Sequence, residues 1–103
     1  MKQDIFNQYV TKVCDAFGIE DESRLFETTR KQTVVDARHM LFYLCVTRPM
    51  TMYTLVEYMS DRGLPIQHSA IMNGVRKAEN HKHKDKDYAQ VLSNILNTVK
   101  LQS

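Results

Sequence analysis

The segment QHSAIMNGVRKAEN, residues 67–80, has the spacing of an amphipathic helix with one apolar and one polar face. Ile71, Val75 and Ala78 recur at intervals of three and four residues, which predicts a stripe that packs against the protein core. Most of the polar residues fall on the opposite face. That face comprises His68, Ser69, Met72, Asn73 and Arg76, with Gln67 just before it. The segment therefore predicts a helix that packs on one side and presents a recognition surface on the other.

Gly74 lies in the middle of this predicted helix, where glycine costs about 1 kcal/mol relative to alanine. It stands beside the buried stripe, between Asn73 and Val75. Glycine at such a position lets two helix backbones approach closely. We expect it to serve the crossing of this helix with the helix that precedes it. The alternative interpretation is a tolerated imperfection without a packing role.

The residues before this segment predict a second helix and a short turn. Thr51 is placed to cap a helix over 52–61, Gly63 ends it, and Pro65 keeps the chain extended. Two helices joined by a short turn that contains glycine form a helix-turn-helix, predicted here over about residues 52–80. In such a pair the second helix enters the DNA major groove, where its first residues meet base edges and a later cation meets phosphate or guanine.

Apolar periodicity elsewhere predicts helices and no strands. Gly18 is expected to end the first helix, and Asp21 or Ser23 to lead the second. Thr33 with Asp36 has the pattern of a capping box for the third. These further helices are predicted over residues 5–17, 22–28, 33–47 and 86–101. The predicted buried stripe of the helix over 33–47 comprises Ala37, Met40, Leu41, Leu44 and Cys45. The sequence thus predicts one all-α domain of about six helices over residues 1–103.

Composition and charge narrow the class of protein. Hydrophobic residues make up 43% and charged residues 25% of the chain, as in globular proteins. Cys14 and Cys45 lack metal-ligand spacing and stand among apolar residues, which predicts buried free thiols in a reducing compartment. No apolar run approaches the length of a membrane span. We therefore expect a cytoplasmic protein without a membrane partner.

The net charge of +2 conceals an uneven distribution. Residues 1–28 contain three basic and six acidic side chains, whereas residues 29–103 contain eleven basic and six acidic ones. An acidic beginning and a basic remainder indicate a face that binds a polyanion. The acidic part also offers a surface for a protein partner, and ordinary surface charge is the alternative interpretation.

Three segments together resemble a known DNA-binding family. HSAIMNGVRKAE (68–79) resembles the recognition-helix segment in the C-terminal DNA-binding domain of the bacterial replication initiator DnaA. ARHMLFYLC (37–45) is similar to an upstream helix of that family, and SRLFETTRK (23–31) to the short helix and basic loop before it. The resemblance spans about residues 5–95. It implies a six-helix, Trp-repressor-like domain that binds double-stranded DNA sequence-specifically, as a small replication or transcription regulator. It also implies a nucleoid-associated protein of a bacterial or phage-infected cell.

The resemblance also implies roles for individual residues. His68 and Ser69 stand where the family contacts major-groove bases, and Arg30 where an arginine enters the adjacent minor groove. Arg38 matches a basic residue near the DNA backbone. Arg76 and Lys77 match an arginine–lysine pair of the family. The complete predicted DNA-binding set is Arg30, Lys31, Arg38, Gln67, His68, Ser69, Asn73, Arg76 and Lys77.

The sequence departs from the family's pattern at several points. The family has aspartate where Gln67 stands and threonine where Ala70 stands, and the turn SDRGLPIQ (60–67) is longer. A glutamine favours adenine where an aspartate accepts from cytosine, so we expect a different target sequence. The family's ATPase motif is absent from the 103 residues. We therefore expect the binding module standing alone, without bound nucleotide.

Two other classes of function compete with DNA binding. A protein-interaction or structural protein that keeps the helix-turn-helix fold would explain the altered positions 67 and 70. An enzyme is the other class, with Cys14, the four histidines and several acids as the only groups to consider. His81 and His83 are two residues apart, which places them on different faces of a helix and disfavours a metal site. We expect no catalytic residues, no metal and no cofactor.

Overall fold

The computed structural model describes residues 2–48 and 50–99, and this part of the chain is all-helical, as predicted. In chain order the elements are α1 (Lys2–Phe17), a 3-10 helix (Glu22–Phe26), α2 (Gln32–Thr47), α3 (Met52–Asp61), α4 (His68–Lys84) and α5 (Lys86–Thr98). These elements follow the order of the six predicted segments. The predicted end of the last helix, at Leu101, lies outside the described residues.

Two glycines end helices in the left-handed conformation that glycine adopts without steric cost. Gly18 follows α1 with a φ of +68°, and Gly63 follows α3 with a φ of +97°. The backbone N–H of Ile19 donates to the carbonyl of Cys14 at 2.8 Å, which completes the stop of α1. Both glycine stops that the sequence predicts are thus present.

Side-chain caps fix the starts of α3 and of the 3-10 helix. The hydroxyl of Thr51 accepts a hydrogen bond from the Thr54 backbone N–H at 3.1 Å and begins α3, as predicted. Asp21 leads the 3-10 helix by accepting from the Ser23 backbone N–H at 3.0 Å. Such caps satisfy N–H groups that have no partner within the helix.

The capping box predicted at the start of α2 is wrong. The helix begins one residue earlier, at Gln32, and the residue before it, Lys31, has no side-chain cap. Asp36 accepts instead from the Gln32 side-chain amide at 2.7 Å, one helical turn away. The Asp36 carboxylate thus bonds a side chain on the helix surface and does not form the reciprocal capping hydrogen bonds with Thr33.

The hydrophobic core forms around α2, which packs most extensively against α4 on one side and α1 on the other. The five predicted stripe residues of α2 are all buried, together with two more apolar neighbours. Buried side chains of α2 are Val34, Ala37, Met40, Leu41, Phe42, Leu44 and Cys45. Because α2 is covered on both flanks, it fixes where α4 lies and which of its faces remains free.

The ends of α2 and α5 are tied together by one guanidinium. Arg48, which follows α2, donates through Nη2 to the carbonyl of Val99 at 2.9 Å and to the carbonyl of Leu96. These carbonyls belong to the last turn of α5, where backbone acceptors lack partners within the helix. These bonds anchor the end of α5 to the end of α2.

Both cysteines are buried free thiols, as the sequence predicts. Burial, with the nearby carboxylate of Glu22 as a smaller cause, raises the pKa of Cys14 to about 11. Burial alone also raises the pKa of Cys45. Thiols with raised pKa values hold their proton at neutral pH and behave as small apolar side chains.

The radius of gyration of the Cα atoms is 12.4 Å, close to the roughly 13 Å expected for a folded chain of this length. Buried residues from all five α-helices and from the 3-10 helix belong to one hydrophobic cluster. Among the residues described, no helix combines the length and apolarity needed to cross a membrane.

Candidate nucleic-acid interface

The helix α4 is seated on the core by a line of small and apolar residues. Ile71, Gly74 and Ala78 are buried, and Val75 is half-buried beside them. This matches the predicted stripe and adds Gly74 to it. The stripe is narrow because the residues at its centre are small, so α4 approaches α2 closely.

Gly74 has a packing role, but its partner differs from the prediction. A β-carbon built on Gly74 would stand 2.8 Å from Cδ2 of Phe42 and 2.9 Å from Cδ2 of His39. Both rings belong to α2, not to α3, and side-chain edges rather than a second backbone fill the space. Real β-carbons do not tolerate such distances, so any side chain at position 74 displaces two aromatic rings.

The opposite face of α4 is exposed along its first half. Ser69, Asn73 and Arg76 are exposed and surround the line directly opposite the buried stripe. Met72 lies among them with 42% of its surface accessible, although it is a large apolar side chain. His68 is also exposed at the first helical position. The predicted recognition residues of α4 therefore share one free surface.

Gln67 is the exposed N-cap residue of α4. Its backbone is extended, and its side chain makes no capping hydrogen bond. Its carbonyl accepts the first helical bonds, from Ala70 and Ile71 at 3.1 and 3.2 Å. The side-chain amide of Gln67 is exposed and makes no hydrogen bond to the backbone of α4. The first N–H groups of α4 therefore have no acceptor from the cap side chain.

The helix continues to Lys84, four residues beyond the predicted end at residue 80. His81 stacks on the ring of Tyr88 with centroids 4.0 Å apart and planes at 14°, so it serves as an aromatic packing residue. Lys82 donates to the Tyr43 hydroxyl at 3.0 Å. These contacts extend the packed side of α4 through a stretch that looks uniformly polar in sequence. The basic residues at the end of α4, His81, Lys82, His83 and Lys84, therefore belong to its last turn.

Acidic neighbours partly neutralise the second half of α4. Glu79 lies 3.8 Å from Lys82 and 3.4 Å from His83, and His81 lies 3.6 Å from Asp85. These pairs are partly exposed, where ion pairs contribute little to stability. Lys77 and Lys84 are exposed on the same helix. Within 2–48 and 50–99, no group of three potential metal-ligating side chains was found.

The basic segment before α2 is exposed and locally ordered. Arg30 and Lys31 both face solvent. The hydroxyl of Thr29 accepts a hydrogen bond from the Lys31 backbone N–H at 3.2 Å. Since residues 27–31 connect the 3-10 helix to α2, we call them the basic loop. The structure adds that this loop stands at the N-terminus of α2.

Arg38 makes contacts that the sequence does not predict. Its Nε donates to the carbonyl of Leu25 at 2.9 Å, and its Nη2 donates to the carbonyl of Glu27 at 2.6 Å. The side chain is half-buried, and this burial lowers the pKa of the guanidinium. The guanidinium is therefore engaged by the protein's own backbone, whereas the other predicted cations point to solvent.

A shallow groove of about 330 Å³ lies between the first turn of α2 and the second half of α4. It is lined by Gln32, Asp36, Lys77, Asn80, His81 and Lys84. Lys31, the last residue of the basic loop, lines a different pocket beside Glu20 and Asp21. The sequence contains no signal for the groove, which depends on the crossing of α2 and α4.

In comparisons with known proteins, no family model, curated protein or solved structure matches the chain. The resemblance to the initiator domain accordingly depends on the quoted motifs alone. The arguments for function below therefore come from the geometry and charge of α4 and the basic loop.

Proposed function

We propose that the chain binds double-stranded DNA sequence-specifically, with α3 and α4 as a helix-turn-helix and α4 in the major groove. The observation that carries this proposal is the exposed face of α4, opposite its seat on α2. The face combines short polar side chains at Ser69 and Asn73 with a cation at Arg76. Hydroxyl, amide and guanidinium groups bond the edges of bases in the major groove.

The start of α4 supports the same orientation. Gln67 and His68 stand exposed at the N-terminus, where the recognition helix of a helix-turn-helix contacts bases first. The first backbone N–H groups of a helix bind phosphate, helped by the positive end of the helix dipole. In the proposed complex these groups hold the DNA backbone while the side chains contact base edges.

The basic loop supplies the second contact in this proposal. Arg30 extends from the loop toward the minor groove that adjoins the segment occupied by α4. Arginine is suited to a narrow minor groove because the negative potential there is strong. Lys77 and Lys84 line one groove of α4 and are exposed. In the proposed complex these two lysines bind phosphates without distinguishing sequences.

A DNA-binding module of this kind regulates replication or transcription by marking or occluding its sites. The acidic side chains concentrated in residues 1–28 repel DNA and favour approach through the α4 side. This asymmetry orients the protein during encounter, and high salt weakens it.

The test begins with a selection of bound duplexes from random DNA. Binding of the selected duplex is then measured by fluorescence anisotropy at about 50 and 200 mM salt. Release of counterions from several phosphates predicts a loss of affinity of at least about tenfold over this range. Lys77→Ala should reduce the salt dependence, whereas Lys12→Ala, which removes an exposed lysine of α1, should leave it unchanged.

A protein partner is the second candidate function, and one observation favours it. Tyr53 of α3 exposes 74% of its surface, and Met72 exposes 42%. Large exposed apolar side chains occur in protein interfaces, where tyrosine and methionine are enriched. Two results would favour this function over DNA binding. One is a selection that enriches no duplex, and the other is an affinity for DNA that does not change with salt concentration.

A further inference from the structure

Arg38 joins two parts of the chain that are far apart in sequence. Its side chain leaves α2 and donates to the carbonyls of Leu25 and Glu27, thirteen and eleven residues earlier. Arginine presents several N–H groups in a planar fork, so one side chain holds two acceptors in fixed directions. A lysine ammonium is a point charge without this fork and does not reproduce the paired geometry.

The two acceptors lie where the 3-10 helix ends and the basic loop begins. Leu25 is fully buried, and Glu27 is the C-cap residue with extended backbone at φ −87° and ψ 150°. Carbonyls at the end of a helix lack partners within the helix. By binding both, Arg38 sets the direction in which the chain leaves the 3-10 helix toward Arg30.

The other end of the basic loop is also held. Thr29 accepts from the Lys31 N–H, and the next residue, Gln32, begins α2. Arg30 therefore projects from a backbone that is fixed on both sides over a few residues. A loop that is ordered before binding loses less conformational freedom when DNA binds, and its contacts are correspondingly stronger.

We propose that Arg38 is a positioning residue that holds the basic loop so that Arg30 meets the DNA, and that it does not itself contact phosphate. This inference rests on the proposed DNA-binding function. It differs from the role that the family resemblance implies, which places Arg38 near the DNA backbone. The two roles predict different outcomes when charge is retained and the fork is removed.

The decisive variant is Arg38→Lys, combined with Arg30→Ala in a double-mutant cycle. Affinity for the selected duplex is measured by fluorescence anisotropy for wild type, both single variants and the double variant. The positioning role predicts that Arg38→Lys weakens binding about three- to tenfold in wild type and less than about twofold when Arg30 is absent. A direct phosphate contact predicts near-normal binding by Arg38→Lys, or equal losses in both backgrounds.

Limited trypsin digestion reports the loop without DNA. Trypsin cleaves after Arg30 and Lys31 only when the loop opens, so Arg38→Lys should accelerate these cleavages severalfold. Lys12, in the middle of α1, provides an internal reference site that should keep its rate. Unchanged cleavage at the basic loop in a folded Arg38→Lys variant overturns the positioning role, whatever the affinity.

Thr29→Ala provides a second variant should Arg38→Lys fail to fold. It removes the hydroxyl that accepts from Lys31 and leaves the core untouched. A loss of affinity that disappears in the Arg30→Ala background supports the ordered loop, and an equal loss in both backgrounds contradicts it. Suppose that wild type binds DNA and that Arg30→Ala weakens this binding. If the losses caused by Arg38→Lys and Thr29→Ala then do not depend on Arg30, only the inference fails. If wild type binds no duplex, the proposed function fails and the inference with it.

Discussion

The two faces of α4 are built under opposite constraints. The buried face, with Ile71, Gly74 and Ala78, admits almost no change of volume because the rings of Phe42 and His39 lie directly on it. The exposed face, with Ser69 and its neighbours, touches no core residue and is free to vary without disturbing the fold. One face of a single helix therefore determines stability, and the other is available for recognition.

The largest expected effect comes from placing the same side chain on each face. Gly74→Leu should lower the free energy of unfolding by about 3 kcal/mol, because overpacking displaces two rings and exceeds the gain in helix propensity. Asn73→Leu, one residue earlier and exposed, should leave it within about 0.5 kcal/mol. Urea denaturation followed by circular dichroism measures both. Equal losses would show that the two faces do not differ as described.

Removing a cation from the exposed face tests the opposite property. Arg76→Ala should weaken binding to the selected duplex by about 1–3 kcal/mol, since a bidentate contact with guanine is lost, and should leave the melting temperature unchanged. Anisotropy titration and thermal denaturation measure the two quantities. If the melting temperature fell while the affinity stayed unchanged, Arg76 would stabilise the fold and would not contact DNA.

Lowering the pH should reduce the stability of the fold through His39, whose ring lies against the buried face of α4. Burial is the main cause that lowers the pKa of His39, with Lys77 and Arg38 contributing and Asp36 opposing. The unfolded chain then takes up a proton on this residue below about pH 6.5, while the folded protein resists it, so stability falls as the pH decreases. His39→Gln should reduce the loss of stability between about pH 7.5 and 5.5. His68→Gln on the exposed face is the matched control, and an identical pH dependence in all three proteins would contradict the assignment to His39.

The smallest effect expected concerns Met72. In the proposed complex its exposed thioether chain meets the methyl group of a thymine, the apolar feature of the major groove. Replacing that thymine by deoxyuridine removes one methyl group and should cost about 0.8 kcal/mol. Met72→Ala should bind both duplexes alike. Equal affinity of wild type for the two duplexes at every position would exclude this contact.

Local patterns in the sequence predicted the elements that depend on local physics. The stripe of α2, the cap at Thr51 and the stops at Gly18 and Gly63 follow from side-chain spacing and backbone freedom, and all are present. The all-α class follows from the same periodicity. The exposed residues of the predicted site follow too, because they are the complement of the buried stripe.

The errors occur where tertiary contacts decide. The predicted end of α4 was wrong because His81 packs as an aromatic residue on Tyr88, although its neighbours in sequence are charged. The partner of Gly74 was wrong because α2, distant in sequence, covers α4 more extensively than α3 does. The backbone contacts of Arg38 depend on a segment more than ten residues away. DNA binding itself stays a prediction.

The single residue between α4 and α5 has a mechanical consequence. Asp85 ends α4 by donating its backbone N–H to His81, and its carboxylate accepts from Asp87 and Tyr88 to begin α5. Asp85 therefore links α4 and α5 without an intervening loop, and Arg48 at the end of α2 holds the other end of α5. We call these linked helices the frame. A rotation of α4 about its axis would require α5 to move as well. This frame therefore keeps the exposed face of α4 in a fixed orientation relative to α2 and α5.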